Sequence, residues 1–238
     1  VCTSWKEGEM MLVNNININN FKARLMDRNI KSSEFDIVND WLIGSLSPLV
    51  FDTFGYKYKA LNMKIDIVCS DANELEIMKS NLIKQLTIST VKFEDIDYYY
   101  RGFIASSPNF TYIMKGNETL EVTMLVIAEK EEKTETLNRI LTKTINVPGN
   151  LETPCIVEVT PSVDAIDLTI VGLDDDPIII KNLKQNKKII INGEDGTVLQ
   201  DGINKYGDTD MWDFPSLKPG SNTITLSKNT VDINIKYK

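Results

Sequence analysis

Apolar and polar residues alternate with a period of two along much of the first half of the chain. The alternation is clearest at residues 63–69, and it recurs at residues 98–106 and 119–128. Because successive side chains of a strand point to opposite faces, this period predicts β-strands with one buried and one solvated face. The first half is therefore predicted to be mostly antiparallel sheet.

One segment departs from this pattern and has the period of a helix. Asp71 can cap its first turn, and Glu74 stands where the partner in a capping box would be. We therefore predict one amphipathic helix packed against the sheet. Its apolar residues share one face, and they are Leu75, Met78, Leu82, Ile83 and Leu86.

The second half carries short alternating runs and no helical period, which is typical of an all-β domain. Pro215 ends one run, and Pro219-Gly220 forms a turn before the last two. This pattern predicts a β-sandwich of the jelly-roll type. The predicted strands lie at residues 155–160, 166–171, 178–181, 188–192, 197–200, 222–227 and 231–237.

A charged and Thr-rich connector separates the two patterns. Val147-Pro148-Gly149 marks a break at its end, so we predict two domains, 1–146 and 147–238. A short helix through Leu137, Ile140 and Leu141 is one alternative for the connector itself. A length of 238 residues agrees with two domains, each large enough to bury a core.

Composition excludes several function classes. The formal net charge is −8, and no basic run is longer than Lys187-Lys188, which argues against binding to nucleic-acid phosphates. No apolar stretch is long enough to span a membrane, and no signal peptide is recognisable at the start of the sequence. We therefore expect a protein that acts without nucleic acid or membrane and is assembled in a cytoplasm.

The side chains that most often carry catalysis are scarce. The sequence has no histidine, and its three cysteines, Cys2, Cys69 and Cys155, have neither a disulfide nor a zinc spacing. We therefore predict no enzyme, no catalytic residue and no cofactor. A metal site is also not expected, because Asp174–Asp176 and the stretch from Asn192 to Gly196 lack the ligand spacing of a calcium loop and are interpreted as turns.

Aromatic residues supply the candidate binding sites. Tyr98, Tyr99 and Tyr100 follow one another in a predicted strand, with one face buried and the other suited to a subunit contact. They are the candidate oligomer interface. Tyr206 and Trp212 lie in the all-β domain and are the candidate sugar contacts, because aromatic rings stack on sugar faces.

Several short sequence segments, spread along nearly the whole chain, resemble segments of one protein family. The sequence resembles the distal tail proteins of long-tailed bacteriophages. The similar parts are the segment from Trp41 to Phe54, the strand from Lys64 to Cys69 with the helix after it, FEDIDYYYRG at residues 93–102, the Gly116 hairpin before LEVTMLVIAE, VPGNLETPCIVEV at residues 147–159, FPSLKPGSNTI at residues 214–224 and VDINIKY at residues 231–237.

This resemblance implies a fold and a function. It implies a mainly β protein: a tail-tube-like β-sandwich or split barrel flanked by one helix, then a galectin-like or jelly-roll β-sandwich. Six copies would form a hub ring at the tail tip of the virion. The implied partners are the tail tube protein, the tail-associated hub protein and receptor-binding or baseplate proteins. The alternative function is a monomeric carbohydrate-binding, lectin-like adhesion module.

Overall fold

The computed structural model describes residues 10–32, 35–40, 43–44, 46–47, 49–56 and 58–238. It consists of two compact units, of which the first ends at Glu131 and the second begins at Glu132. We call them the first and the second unit. Cys2, Trp41 and Pro48 lie outside the described residues.

In its described residues, the first unit contains ten strands and one α-helix, together with a 3-10 helix at Ile18–Phe21. In chain order they are β1 (Met11–Val13), β2 (Ile16–Asn17), β3 (Ala23–Ile30), β4 (Phe35–Asp40), β5 (Leu49–Tyr56), β6 (Lys59–Val68), α1 (Ala72–Leu86), β7 (Ile88–Phe93), β8 (Tyr99–Ile104), β9 (Asn109–Met114) and β10 (Asn117–Glu129).

Strand β10 organises the first unit. The sheet has the order β2-β1-β7-β8-β10-β6-β3, and β4 pairs separately with β5. All pairs are antiparallel, and β10 follows β6 from Asn117 to Val126. On its other edge β10 pairs first with β9 and then with β8. One long strand therefore holds three neighbours in register.

The core of the first unit lies between one face of this sheet and α1. Leu61, Ile65 and Leu120 are fully buried on the sheet, and Leu82 and Leu86 are fully buried on the helix. Burying side chains of this size contributes about 1.5–3 kcal/mol each. The predicted amphipathic helix is thus observed, and it begins after Asp71 and ends at Leu86.

The N-terminus of α1 is capped by side chains. The carboxylate of Asp71 accepts hydrogen bonds from the backbone N–H groups of Asn73 and Glu74, at 2.8 and 3.0 Å. The Glu74 carboxylate accepts from the backbone and hydroxyl of Ser70, not from the backbone of Asp71 as in a standard capping box. Two otherwise unsatisfied helical N–H groups therefore depend on Asp71.

Replacing Asp71 with alanine is expected to lower the free energy of unfolding by about 1 kcal/mol, because both N–H groups lose their acceptor. Urea denaturation measures this loss. Asp71→Asn is the matched control, since an amide oxygen still accepts both bonds and most of the stability should remain. Equal stability of the two variants would contradict the capping role.

The second unit contains only strands and one 3-10 helix, at Tyr206–Asp208. The strands are β11 (Lys133–Asn138), β12 (Thr142–Val147), β13 (Thr153–Pro154), β14 (Ile156–Pro161), β15 (Ala165–Val171), β16 (Ile178–Leu183), β17 (Ile189–Asn192), β18 (Thr197–Gln200), β19 (Ile203–Asn204), β20 (Thr209–Asp210), β21 (Ser216–Leu217), β22 (Gly220–Leu226) and β23 (Val231–Tyr237).

Two sheets form this unit, and one buried cluster is shared by both. One sheet has the order β11-β23-β14-β17-β18-β19 and the other has the order β12-β22-β15-β16-β20, while β13 pairs with β21. Val157, Ile191 and Ile235 from the first sheet join Leu168 and Ile224 from the second in the cluster. The predicted mainly β fold class is confirmed.

The connector is part of the second unit. Leu137 and Ile145 are buried in its cluster, and strands β11 and β12 pair with β23 and β22. The alternative of a short helix through Leu137, Ile140 and Leu141 is wrong, because pairing with distant strands fixes this segment as extended chain. The first two strands of the second unit thus begin before residue 147, where the domain boundary was predicted.

Candidate functional site

The three consecutive tyrosines lie in different environments. Tyr100 is 5% exposed, and its ring centroid lies 5.7 Å from that of Phe93. Burial raises the pKa of the Tyr100 hydroxyl. Tyr99 points to the other face, with the Lys92 Nζ 5.2 Å from its ring centroid, and Tyr98 is exposed. Tyr98 and Tyr99 therefore lie at the surface, whereas Tyr100 is part of the core.

The face that carries Tyr99 also exposes aliphatic and aromatic residues. Ile88 on β7 is directly opposite Phe103 on β8, which in turn is opposite Leu125 on β10. Both Ile88 and Phe103 are exposed, and the ring of Tyr58 contacts that of Phe103 edge to face at 5.6 Å between centroids. We call this row the apolar face of the first unit. It suits a protein contact better than water.

The acidic residues before the tyrosines include Asp95, whose environment is the opposite of that of a general acid. Asp95 accepts a hydrogen bond from Arg28, and this bond holds the pKa of the Asp95 carboxyl below its ordinary value. The guanidinium of Arg28 in turn lies 4.3 Å from the centroid of the Phe93 ring. A general acid in glycoside hydrolysis needs a raised pKa, so this environment has the opposite effect.

Strand edges are the second feature of the first unit. The strands β9, β10, β6 and β3 are neighbours in that order, and within the described residues β9 pairs only with β10 and β3 only with β6. Both ends of this four-strand section therefore present unpaired backbone N–H and C=O groups. Such edges are templates for pairing with another chain.

Strand β9 combines its free edge with apolar side chains. Tyr112, Ile113 and Met114 are 68%, 52% and 60% exposed. A monomeric protein usually protects an edge of this kind with charges or covers it with other structure. Edge strand β3 differs, because it has a bulge between Leu25 and Asp27. A bulge limits the stretch over which another strand can pair.

The face of this section that lies opposite the core is polar and internally bonded. Thr119 donates to Asp66 at 3.0 Å, and Thr123 donates to Asn62 at 2.8 Å. Each of these bonds joins β10 to β6, as does the ion pair of Lys64 and Glu121. These side-chain contacts between directly opposite residues help to fix the register of the two strands.

The candidate sugar residues lie on one stretch at the edge of the second unit. Tyr206 is half exposed, and its ring centroid is 6.0 Å from that of Phe214. Trp212 is 85% exposed. An open groove of about 460 Å³ is lined by the sequence neighbours of Tyr206, Lys205 and Gly207, and by Ile203 and Asp208, whereas Trp212 is not part of its lining. The structure thus brings Tyr206 next to a groove that no sequence pattern indicated.

Ion pairs hold the polar side chains of the groove. Lys205 donates to Asp208 at 2.6 Å, and Asn182 donates to the other oxygen of the same carboxylate at 2.8 Å. These two bonds hold the pKa of the Asp208 carboxyl below its ordinary value. At the other end of the groove, Lys187 donates to Asp201 at 2.8 Å.

The turns that resemble metal loops in composition have other roles. Asn192 accepts from the backbone of Glu194 at 2.9 Å and closes the hairpin between β17 and β18, as predicted. Asp175 accepts from Lys218 at 2.5 Å. Over the described ranges, no cluster of three or more metal-binding side chains occurs. Nor does this part of the chain contain a helix long and apolar enough to cross a membrane.

Glu158 on the outer surface of the second unit accepts hydrogen bonds from two lysines. Its side chain is 12% exposed and accepts from Lys236 at 2.6 Å and from Lys188 at 3.0 Å. The hydrogen bond from Lys236 is the main reason that the pKa of Glu158 is lowered from 4.5. The side chains of Glu158, Lys188 and Lys236 therefore link β14 to β17 and β23.

The ionised form of Glu158 is the one that the fold stabilises, so its contribution is present above the unfolded pKa and is lost as the pH falls through the folded pKa. We expect Glu158→Gln to cost about 1 kcal/mol at neutral pH. Its stability should converge with that of the wild type below about pH 4. Asp176→Asn is the control, and pH-dependent thermal melts are the measurement. If the difference in stability between Glu158→Gln and the wild type stays constant down to the lowest pH, the role of ionisation is contradicted.

Comparison with known proteins agrees with this architecture. Residues 148–238 match the family described as the siphovirus-type tail component, C-terminal domain. No curated protein sequence matches the chain significantly. The sequence similarity to that domain family therefore covers the second unit from residue 148 onward.

Solved structures extend the similarity to the first unit. The crystal structure of the Dit protein of phage SPP1, described as a paradigm of the hub adsorption apparatus in phages that infect Gram-positive bacteria, aligns with a TM-score of 0.75 at 11% identity, over 97% of this chain and 98% of that chain. A protein in the phage p2 baseplate in its activated conformation aligns with a TM-score of 0.58 at 13% identity, over 97% of this chain and 98% of that one. The resemblance predicted from sequence is confirmed.

Proposed function

We propose that this chain, whose second unit is a siphovirus-type tail component domain, is a structural protein of a phage tail that forms a hub ring of six copies. The ring would join the tail tube to the tail-tip or baseplate and receptor-binding proteins. The observation that carries the proposal is the family match of residues 148–238 together with a fold that is similar to SPP1 Dit over nearly the full length. The proposed location is the virion tail tip.

The free strand edges of the first unit support a ring. Pairing β9 of one copy with β3 of the next joins two different surfaces head to tail. A contact of this kind closes into a ring when the rotation between neighbours fits. Closure would pair the backbone groups of both edges and cover Tyr112, Ile113 and Met114, which explains why these side chains are tolerated on an edge.

The apolar face offers a second contact. Tyr99 lies on the same face of β8 as Phe103, with Arg101 between them, and Tyr98 is close in sequence. We propose that this face, with Tyr98 and Tyr99, packs against a neighbouring copy or an adjoining tail protein. Tyr100 supports the strand from the core side. The tail tube protein, a tail-associated hub protein and receptor-binding proteins are the partners that the similarity to hub and baseplate proteins suggests.

Solution mass tests the proposal. Six copies of a 26.9 kDa chain would weigh about 161 kDa, and light scattering and native mass spectrometry resolve this from one copy. Immunogold labelling of virions with antibodies against the chain tests the location. A single copy at all concentrations, with no labelling of tails, would contradict the hub function and favour the alternative of a monomeric adhesion module.

A further inference from the structure

We infer that Asp201 is a site of spontaneous isoaspartate formation, and that the fold of the second unit directs this modification to Asp201 and away from Asn192. Each of these residues precedes a glycine at the end of a hairpin strand. The rearrangement takes place within one copy of the chain, so it depends neither on the proposed hub function nor on ring formation.

An aspartate that precedes a glycine rearranges without an enzyme. The glycine amide nitrogen attacks the Cγ of the protonated carboxyl group, and the new C–N bond closes a succinimide ring while the amide proton and the hydroxyl leave as water. Water then adds to the other imide carbonyl and breaks its bond to the nitrogen, so that the main chain runs through Cβ and Cγ. One water molecule is lost and one is gained, and the mass of the chain is unchanged. Glycine favours the attack because it has no side chain to hinder it.

The sequence contains three dipeptides of this kind, at Asn192-Gly193, Asp195-Gly196 and Asp201-Gly202. Asparagine follows the same route with loss of ammonia. In an unstructured peptide it reacts faster than aspartate, because a carboxyl group is almost entirely ionised at neutral pH and a carboxylate is a poor electrophile. Sequence alone therefore ranks Asn192 first. The hydrogen bonds of the three glycine nitrogens give the opposite order.

The attacking nitrogen is occupied at the first two dipeptides. The Gly193 N–H donates to the carbonyl of Cys155 at 3.0 Å, and the Gly196 N–H donates to the carbonyl of Asn192 at 3.0 Å. The backbone of Gly193 is also tightly packed, since a Cβ there would lie 2.2 Å from the carbonyl oxygen of Pro215. Attack by either nitrogen therefore requires that a backbone hydrogen bond is broken first.

The side chain of Asn192 is fixed as well. Its Oδ1 accepts from the backbone N–H of Glu194 at 2.9 Å, and its Nδ2 donates to the carboxylate of Asp195 at 2.8 Å. Both bonds must break before the Cγ of Asn192 can turn towards the nitrogen of Gly193. The folded hairpin thus protects the dipeptide that is the most reactive one in an unfolded chain.

The third dipeptide has a free nitrogen and a loosely held side chain. Within the part of the chain that the structure describes, no atom accepts a hydrogen bond from the Gly202 N–H. Asp201 and Gly202 have φ angles of 51° and 79° and form the two-residue turn between β18 and β19. The Asp201 carboxylate is held by Lys187 at 2.8 Å, in an exposed ion pair of the kind that contributes little. Because β19 has only two residues, local opening of this turn disrupts few contacts.

Isoaspartate at position 201 would change the local structure. It adds one carbon to the main chain of a two-residue turn, so the strands on either side no longer meet in register. The contacts at risk are the pairing of Leu199 with Asn204 and the hydrogen bond from the Lys205 N–H to the carbonyl of Val198 at 2.9 Å. We therefore expect the Lys205 amide to exchange faster with solvent in the modified chain.

The test compares the wild type with Asp201→Asn during long incubation of the full chain at neutral pH and physiological temperature. Peptide mapping by mass spectrometry with electron-transfer fragmentation distinguishes isoaspartate from aspartate. In the folded wild type we expect isoaspartate at position 201 and an unmodified Asn192. In Asp201→Asn both positions carry asparagine before glycine, and position 201 should deamidate at least about tenfold faster than position 192. The variant should fold normally, because asparagine before glycine is favoured in this turn.

Incubation of the same two proteins in urea is the control. Unfolding removes the protection of Asn192, so positions 192 and 201 of Asp201→Asn should then react at similar rates. Three results would overturn the inference: Asn192 reacts at least as fast as position 201 in the folded chains, position 201 stays unmodified in both folded chains, or the difference between the two positions persists in urea. None of these results affects the hub function, which the solution mass tests separately.

Discussion

Alanine at position 102 is expected to destabilise the first unit by about 3 kcal/mol, which corresponds to a fall of about 10 °C in melting temperature. Gly102 lies in the middle of β8, where β10 passes very close. A Cβ at this position would be 1.9 Å from the carbonyl oxygen of Leu125 and 2.8 Å from the Cα of Val126. Both neighbours are backbone atoms, so the strands must separate to make room.

Separation would affect more than one contact. Gly102 is opposite Val126 on one side and Ser89 on the other, so a shift of β8 disturbs its pairing with both β10 and β7. Thermal melting measures the loss of stability, and native-state hydrogen exchange shows whether the loss is in the first unit. Gly207→Ala is the control, because a Cβ there meets no atom within 4 Å. If Gly102→Ala melts with the wild type, β8 and β10 do not approach each other as described.

Lysine at position 113 is expected to abolish the six-copy ring and leave the folded monomer intact. Ile113 is 52% exposed on edge strand β9, so the isolated chain tolerates a charged side chain there. In the proposed ring this position is covered by a neighbour, and a lysine at a pairing edge is a device that prevents strand addition. We expect association at each contact to weaken at least about a hundredfold, or about 2.8 kcal/mol.

The matched control is Ile77→Lys. Ile77 is 58% exposed on α1 of the same unit, and the same substitution there adds the same charge away from the strand edges. Light scattering should give one copy for Ile113→Lys and the wild-type mass for Ile77→Lys, with equal circular dichroism for both. If Ile113→Lys assembles as the wild type does, the β9 edge is not the ring contact.

Much of the fold could be predicted because its signals are local. The helix has its own cap at Asp71 and its own apolar face, and both appear in the structure as predicted. In the second unit the pattern of residues 231–237 identifies β23, whose residues alternate strictly between buried and half-buried positions. Where one face of a strand is buried, apolar and polar residues alternate with a period of two, so the strand can be predicted from sequence alone.

The connector could not be predicted because its signals are not local. In this segment Ile140 and Leu141 follow Leu137 by three and four residues, as they would on one face of a helix. The outcome is decided by β23 and β22, which lie about ninety residues later in sequence and pair with this segment. Pairing with these strands overrides the local period, because the preference of a segment for strand depends on its tertiary context.

The candidate sites also include features that could be predicted from sequence and features that could not. That one face of the tyrosine strand would be buried was predictable, and Tyr100 is the residue that occupies it. The exposed edge of β9 and the groove beside Tyr206 were not, since an edge is defined by which strands are absent beside it and a groove by loops from different strands. Exposed apolar residues such as Met114 are the signal that would have indicated the edge, once the topology was known.

The position of β23 has a consequence for the order of synthesis. This strand lies between β11 and β14, so the sheet that contains it stays divided until residues 231–237 have been made. The first unit ends at Glu131, so all of its residues are made before this strand. A polypeptide that terminates before residue 231 would therefore leave β11 and β14 without the strand that joins them.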